Sequence, residues 1–187
     1  ASDVYKRQVE VVDVDIDTPN TTIQYYVESG KKTTLDTQDI EAILADKGCT
    51  DITKDGNKWS FTYGKTNYKN VTITCTQMIK VKVDTKVTVD SALTTAGISA
   101  TAALADGESF VYIPRNTATN VDAVITVVAK ADKTISAARD LTVTGGTFSG
   151  TGFLAAGTYT TAGTELDADN ISVTATKDVT LTFELAQ

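Results

Sequence analysis

The sequence predicts a mainly β protein with one helix. An N-terminal α+β module, residues 9–83, precedes a β-sandwich-like domain, residues 84–187, that carries an internal repeat. Three observations point there. Threonine makes up roughly one residue in five or six and valine is common, and both suit pleated, half-exposed surfaces. Most apolar positions alternate with polar ones at the two-residue period of a strand, and one stretch alone switches to helical spacing. Finally, the C-terminal part contains two stretches that align with each other.

Val9 to Asp17 opens the first module. Val9, Val11 or Val12, Val14 and Ile16 alternate with Glu10, Asp13, Asp15 and Asp17, the pattern of a half-buried strand, and Thr18-Pro19-Asn20 stops it. Thr22 to Glu28 is a second strand, turned by Ser29-Gly30, with Lys32 to Leu35 as a short return strand. In DTQDIEAILADKGC the period changes, because Ile40, Ile43 and Leu44 fall at i, i+3 and i+4. Asp36 or Thr37 caps the first turn, and Asp39 and Glu41 suit the positive end of the helix dipole. Lys47 suits the negative end, and Gly48 stands where a residue of positive φ closes a helix. Thr50 to Thr53 then runs into Lys54-Asp55-Gly56-Asn57, a hairpin turn. Lys58 to Tyr63 sets Trp59, Phe61 and Tyr63 on one strand face, and Gly64-Lys65-Thr66-Asn67 turns the chain into Tyr68 to Thr76.

This arrangement, with GKKTTL (Gly30 to Leu35), DKGCTD (Asp46 to Asp51), KDGNKW (Lys54 to Trp59) and FTYG (Phe61 to Gly64), resembles the β-grasp-like repeats of large cell-surface proteins of Gram-positive bacteria. The resemblance implies an α+β, β-grasp-like module and a place at the cell surface. It covers less than half of the chain.

Beyond Asp84 the repeat governs the reading. Ile98 to Gly107 (ISATAALADG) aligns with Phe148 to Gly157 (FSGTGFLAAG), and Ile125 to Ile135 aligns with Ile171 to Leu181. Upstream, Val87-Thr88-Val89 matches Leu141-Thr142-Val143. The copies, 84–136 and 137–187, are each too small to offset chain entropy alone, so they are expected to share one core. A stacked solenoid is the alternative, suggested by LTVTGGTFSGTG. A weaker echo sets Asn70-VTITCTQMIKVKV against Asn170-ISVTATKDVTLTF.

The first eight residues, ASDVYKRQ, have no period. Back-translated, they resemble a common sequencing adapter read in frame, so 1–8 is expected to be a non-native leader outside the fold, preceding the fragment of a longer, environmental bacterial gene.

Charge and composition remove whole classes of function. A net charge of −7 argues against nucleic-acid backbones and anionic membranes, which need Lys/Arg patches. No stretch approaches the ~18 apolar residues of a membrane span, so no membrane insertion is expected in this segment. With no histidine, every Ser-His triad and the commonest metal ligand are gone. Two cysteines do not make a zinc site. No enzymatic activity is expected.

Four sets of residues are candidate sites. Asp13, Asp15 and Asp17 share a strand face, about 7 Å apart by strand rise, and with Asn20 offer oxygens to calcium. The competing reading is a solvated face whose charges deter edge pairing. The loops Asp167-Ala168-Asp169-Asn170 and Asp106-Gly107-Glu108 pose the same choice between calcium and turn formation. Trp59, Phe61 and Tyr63 form a sugar-stacking platform if exposed and ordinary core if buried. Cys49 and Cys75 both point toward the module's core, either as a disulfide of an extracellular protein or as two buried thiols.

The expected function is a non-catalytic structural, display or adhesion segment of a bacterial cell-surface or secreted multidomain protein. No cofactor is expected, calcium apart. Its partners would be other domains of the same chain and a cell-wall or host glycan or protein. A carbohydrate-binding accessory module of a secreted enzyme and a phage virion decoration or tail domain are the alternatives.

Overall fold

The computed structural model describes residues 9–28 and 31–187. The leader 1–8 and the turn at Ser29-Gly30 lie outside the described residues. The fold is mainly β, as expected, with, among the described residues, one helix longer than two turns and a second of five residues. The chain forms two compact units, one ending at Ile79 and one running from Lys80 to Gln187.

In the first unit β1 (Val9–Ile16) pairs antiparallel with β2 (Asn20–Val27). β1 holds a bulge: Val11 faces Tyr25 and Asp13 faces Gln24, so Val12 is the extra residue. The bulge resolves the ambiguity between Val11 and Val12, turning Val11 out to solvent while Val12, Val14 and Ile16 are half-buried. Lys32 to Leu35 forms no return strand. The Lys32 ammonium instead pairs with the Asp39 carboxylate, and the Tyr25 hydroxyl donates to the Thr33 carbonyl at 2.6 Å.

Helix α1 (Thr37–Lys47) begins at Asp36, whose carboxylate accepts from the Asp39 amide at 2.8 Å while the Asp39 carboxylate accepts from the Asp36 amide at 3.0 Å. This reciprocal cap satisfies two otherwise unpaired amides. Gly48, at φ 103°, closes the helix in the left-handed region that only glycine adopts without strain. A meander follows: β3 (Cys49–Asp55), β4 (Lys58–Tyr63) and the long β5 (Thr66–Val83), whose Thr66–Ile79 stretch belongs to this unit. β5 pairs antiparallel with β4 and then, farther along, parallel with β2. Ile40, Ile43 and Leu44 of the helix pack on Ile23, Trp59, Phe61 and Val71 of the strands.

The second unit contains β6 (Lys86–Val89), α2 (Ser91–Thr95), β7 (Ile98–Leu104), β8 (Val111–Pro114), β9 (Thr119–Ala129), β10 (Lys133–Ile135), β11 (Arg139–Thr144), β12 (Ser149–Leu154), β13 (Gly157–Tyr159), β14 (Thr164–Val173) and β15 (Val179–Ala186). The hydrogen-bonded path runs β12-β11-β15-β6-β7-β9-β14. Its ends meet where the Thr147 amide donates to the Ser172 carbonyl at 2.7 Å and the Ser172 amide donates back at 3.0 Å. The sheet is therefore curled and sandwich-like. Strict alternation follows, as in β7, where Ile98, Ala100, Ala102 and Leu104 are buried and the residues between them exposed.

The aligned copies occupy strands in like order. Leu104 ends β7 and Leu154 ends β12; Ile125 lies in β9 and Ile171 in β14, all buried. Their pairings differ, because β7 bonds to β9 whereas β14 bonds to β9 rather than to β12.

Candidate functional site

Asp13 and Asp15 face Gln24 and Thr22 across the β1–β2 pair, and with Asp17 they are exposed. They share a face but do not converge. Among the described residues no group of three His, Cys, Asp or Glu side chains is placed to hold a metal. The calcium expectation finds no support on this point: alternate carboxylates of one strand stand about 7 Å apart, and among the described residues none joins them in a set of three that could close on one ion. Beside the bulge, Val11–Val14 and the Ile43–Lys47 end of α1 line an open cleft of about 340 Å³ that Asp13, Asp46 and Lys47 rim with both signs of charge. β1 stands at the end of its strand order, bonded to β2 alone among the described strands.

The aromatic row is divided. Trp59 and Phe61 are 3% and 2% exposed, packed against the helix, with the Phe61 ring stacked on Tyr68 at 5.2 Å. Tyr63 is 37% exposed. The platform expectation is corrected accordingly: two of its three rings have no open face. Tyr63 turns out because it ends β4, opposite Cys49 and Thr66 and next to the Gly64 turn. The Lys54 ammonium lies 5.4 Å from the Trp59 ring centre and donates to the Thr37 hydroxyl at 3.1 Å.

Cys49 and Cys75 belong to one hydrophobic cluster, as expected from their strand faces, but both are free thiols and the bridge is not formed. Burial pushes both thiols above their ordinary pKa, only partly opposed at Cys49 by the Lys47 charge. A thiol held protonated is a poor nucleophile.

The remaining acidic groups build backbone. Asp106 accepts from the Glu108 amide at 3.1 Å, forming the turn at Gly107. In Asp167-Ala168-Asp169-Asn170 the chain bulges: Ala168 faces Ala123 and Ile171 faces Val121, so β14 carries one residue more than β9. Asn170 takes φ 59°, and its amide donates to the Asp122 carboxylate at 2.7 Å. A smaller cleft of about 190 Å³ lies between Asp106 and Asp122, with Leu104 and Val121 in its floor.

One polar centre escaped the sequence reading. Arg139, 5% exposed, pairs through Nε with the Asp90 carboxylate and donates from a terminal nitrogen to the Ala137 carbonyl at 2.6 Å. Asp90 also caps α2, accepting from the Leu93 amide at 2.9 Å. Burial alone would raise the Asp90 pKa; the Leu93 amide and the Arg139 guanidinium outweigh it and hold the carboxyl below the usual range. The two residues are far apart in sequence, and no local pattern joins them. Comparison of the chain with protein-family models, with curated proteins and with solved structures finds no match in any of the three.

Proposed function

We propose that this chain is a non-catalytic structural or display segment of a bacterial cell-surface or secreted multidomain protein, working beside other domains of the same chain. The observation that carries this reading is the use made of its reactive side chains. Asp36 and Asp39 cap a helix, Asp90 and Arg139 clamp a second cap, Asp106 shapes a turn and Asp122 holds a bulge. Trp59 and Phe61 lie in the core. A chain without histidine would need a desolvated carboxylate or lysine for acid–base work near neutral pH. The carboxylates with a marked shift, Asp36 and Asp90, move toward greater acidity, which suits an ion partner or a cap rather than a proton donor. The similarity of GKKTTL, DKGCTD, KDGNKW and FTYG to repeats of bacterial surface proteins supports the setting.

A glycan array and a calcium titration on the purified chain test the reading. The expected result is no saturable glycan binding and a melting temperature unmoved by calcium. Glycan binding lost in Tyr63→Ala with the fold retained would replace it with a carbohydrate-binding role. A calcium-dependent rise in melting temperature, abolished by Asp15→Asn, would make β1 a metal site. Flanking sequence encoding an anchor or sorting signal would support the surface setting. A neighbouring capsid or tail gene would favour a virion protein instead.

A further inference from the structure

We propose that the second unit is a force-bearing element, clamped along β15 against tension applied through its ends. This goes beyond the display reading and stands on strand pairings alone. The unit is entered at Lys80 and left at Gln187. Val81, Lys82 and Val83 pair in parallel with Val179, Thr180 and Leu181, and Thr88 and Val89 pair in parallel with Glu184 and Leu185. Just after the first stretch the Asp84 amide donates to the Leu181 carbonyl at 2.8 Å, and just after the second the Asp90 amide donates to the Leu185 carbonyl at 3.1 Å. At the entry the Lys80 amide donates to the Asp178 carboxylate at 2.9 Å.

Direction decides what these bonds resist. Two parallel neighbours, one pulled from its first residue and the other from its last, carry the load along the strand axis in opposite senses. The bonds between them then strain together, in shear. The load enters beside Val179 and leaves beyond Ala186, a span of about 26 Å at ~3.3 Å per residue. The other edge of β15 is held as well, because Asp140 to Thr144 of β11 pair antiparallel with Ala186 to Thr182. Sliding β15 out also drags Leu181, Phe183 and Leu185 from the core. Forced opening is governed by the unfolding barrier, and a barrier that breaks many bonds at once is high.

The first unit has the opposite geometry. Val9 faces Val27, and the neighbouring Tyr26 faces Met78, so the unit's described first residue and its last, Ile79, lie at one end of the β1-β2-β5 sheet. Tension there peels β1 from β2 one pair at a time.

Single-molecule stretching of the full chain by its two ends tests the proposal. The expected trace has two steps. The first unit opens at low force. The second opens last, at a several-fold higher force, with a length gain on the order of 350 Å for roughly 100 residues at up to ~3.6 Å each. A second geometry uses the same fold with one handle at Ser136→Cys and the other at Gln187. The load then separates β11 and β15 from the Asp140–Ala186 end, and the opening force of the second unit should fall several-fold. Equal force in the two geometries, or the second unit opening before the first, would overturn the clamp. Neither outcome bears on the display reading, which the glycan and calcium measurements test.

Discussion

Asn70 and Asn170 perform one task in two units. Each has positive φ, 57° and 59°, each lies in the strand that carries the extra residue of a bulge, and each precedes an apolar residue with no exposure, Val71 and Ile171. Asparagine tolerates the left-handed region better than other side chains, and a β-branched residue tolerates it worst. Asn170→Gly is expected to leave the denaturant midpoint nearly unchanged, whereas Asn170→Val should cost about 1–2 kcal/mol. The weak alignment of the two asparagine stretches was visible in the sequence; that it marks a shared backbone device was not, since φ leaves no trace in a residue pattern. Asp90 leads to a second expectation. Its pKa in the fold is depressed by the Leu93 amide and Arg139 against the raising effect of burial. The stability it contributes is therefore complete above the unfolded value of about 3.9 and is lost as pH falls through the lower, folded value. Melting temperature followed from pH 6 down to pH 2 should fall less steeply in Asp90→Asn than in the parent. At pH 7 the same variant should be less stable by about 3 kcal/mol, because Arg139 is left buried without its partner. A parallel fall in both proteins would show that Asp90 does not contribute to acid sensitivity.

At the scale of elements, signals that act locally are legible in the sequence and those that depend on distant partners are not. Helix α1 was legible from its three-and-four spacing, its acidic start and Gly48, all of which act within a turn or two of the residues concerned. Replacing the cap, Asp36→Ala, is expected to cost about 1 kcal/mol in chemical denaturation. Trp59→Ala should cost about 3–5 kcal/mol, since the indole lies between the helix and the sheet and its loss leaves a cavity there. A near-neutral Trp59→Ala would show that the indole does not fill this core. The expected return strand at Lys32–Leu35 failed for a non-local reason, because Lys32 is drawn to the buried Asp39 and Thr33 to the Tyr25 hydroxyl. The three aspartates of β1 show the same limit. Their common face follows from the two-residue period, but whether they converge depends on what lies opposite, and period alone is silent there.

At the scale of the whole chain, strand order within the second unit was partly visible through the repeat, while strand pairing was not. The two copies list their strands in like order, yet β9 and β14 join each other, an arrangement no alignment of one copy on the other would reveal. The curled sheet is completed at a crowded point. A Cβ on Gly146 would lie 2.9 Å from the Ile171 side chain, 3.1 Å from the Ser172 carbonyl and 3.2 Å from Leu181, just beside the Thr147–Ser172 pair. A side chain there would have to displace Ile171 or the Ser172 backbone. β14 would then lose the one bridge, at Ser172, that its outer margin makes among the described residues. Gly146 is thus the clearance that lets two distant turns of the chain touch: Gly146→Val is expected to lower the denaturant midpoint and to speed hydrogen exchange at the Thr147 and Ser172 amides, whereas unchanged exchange at those two amides would show that the contact tolerates a side chain.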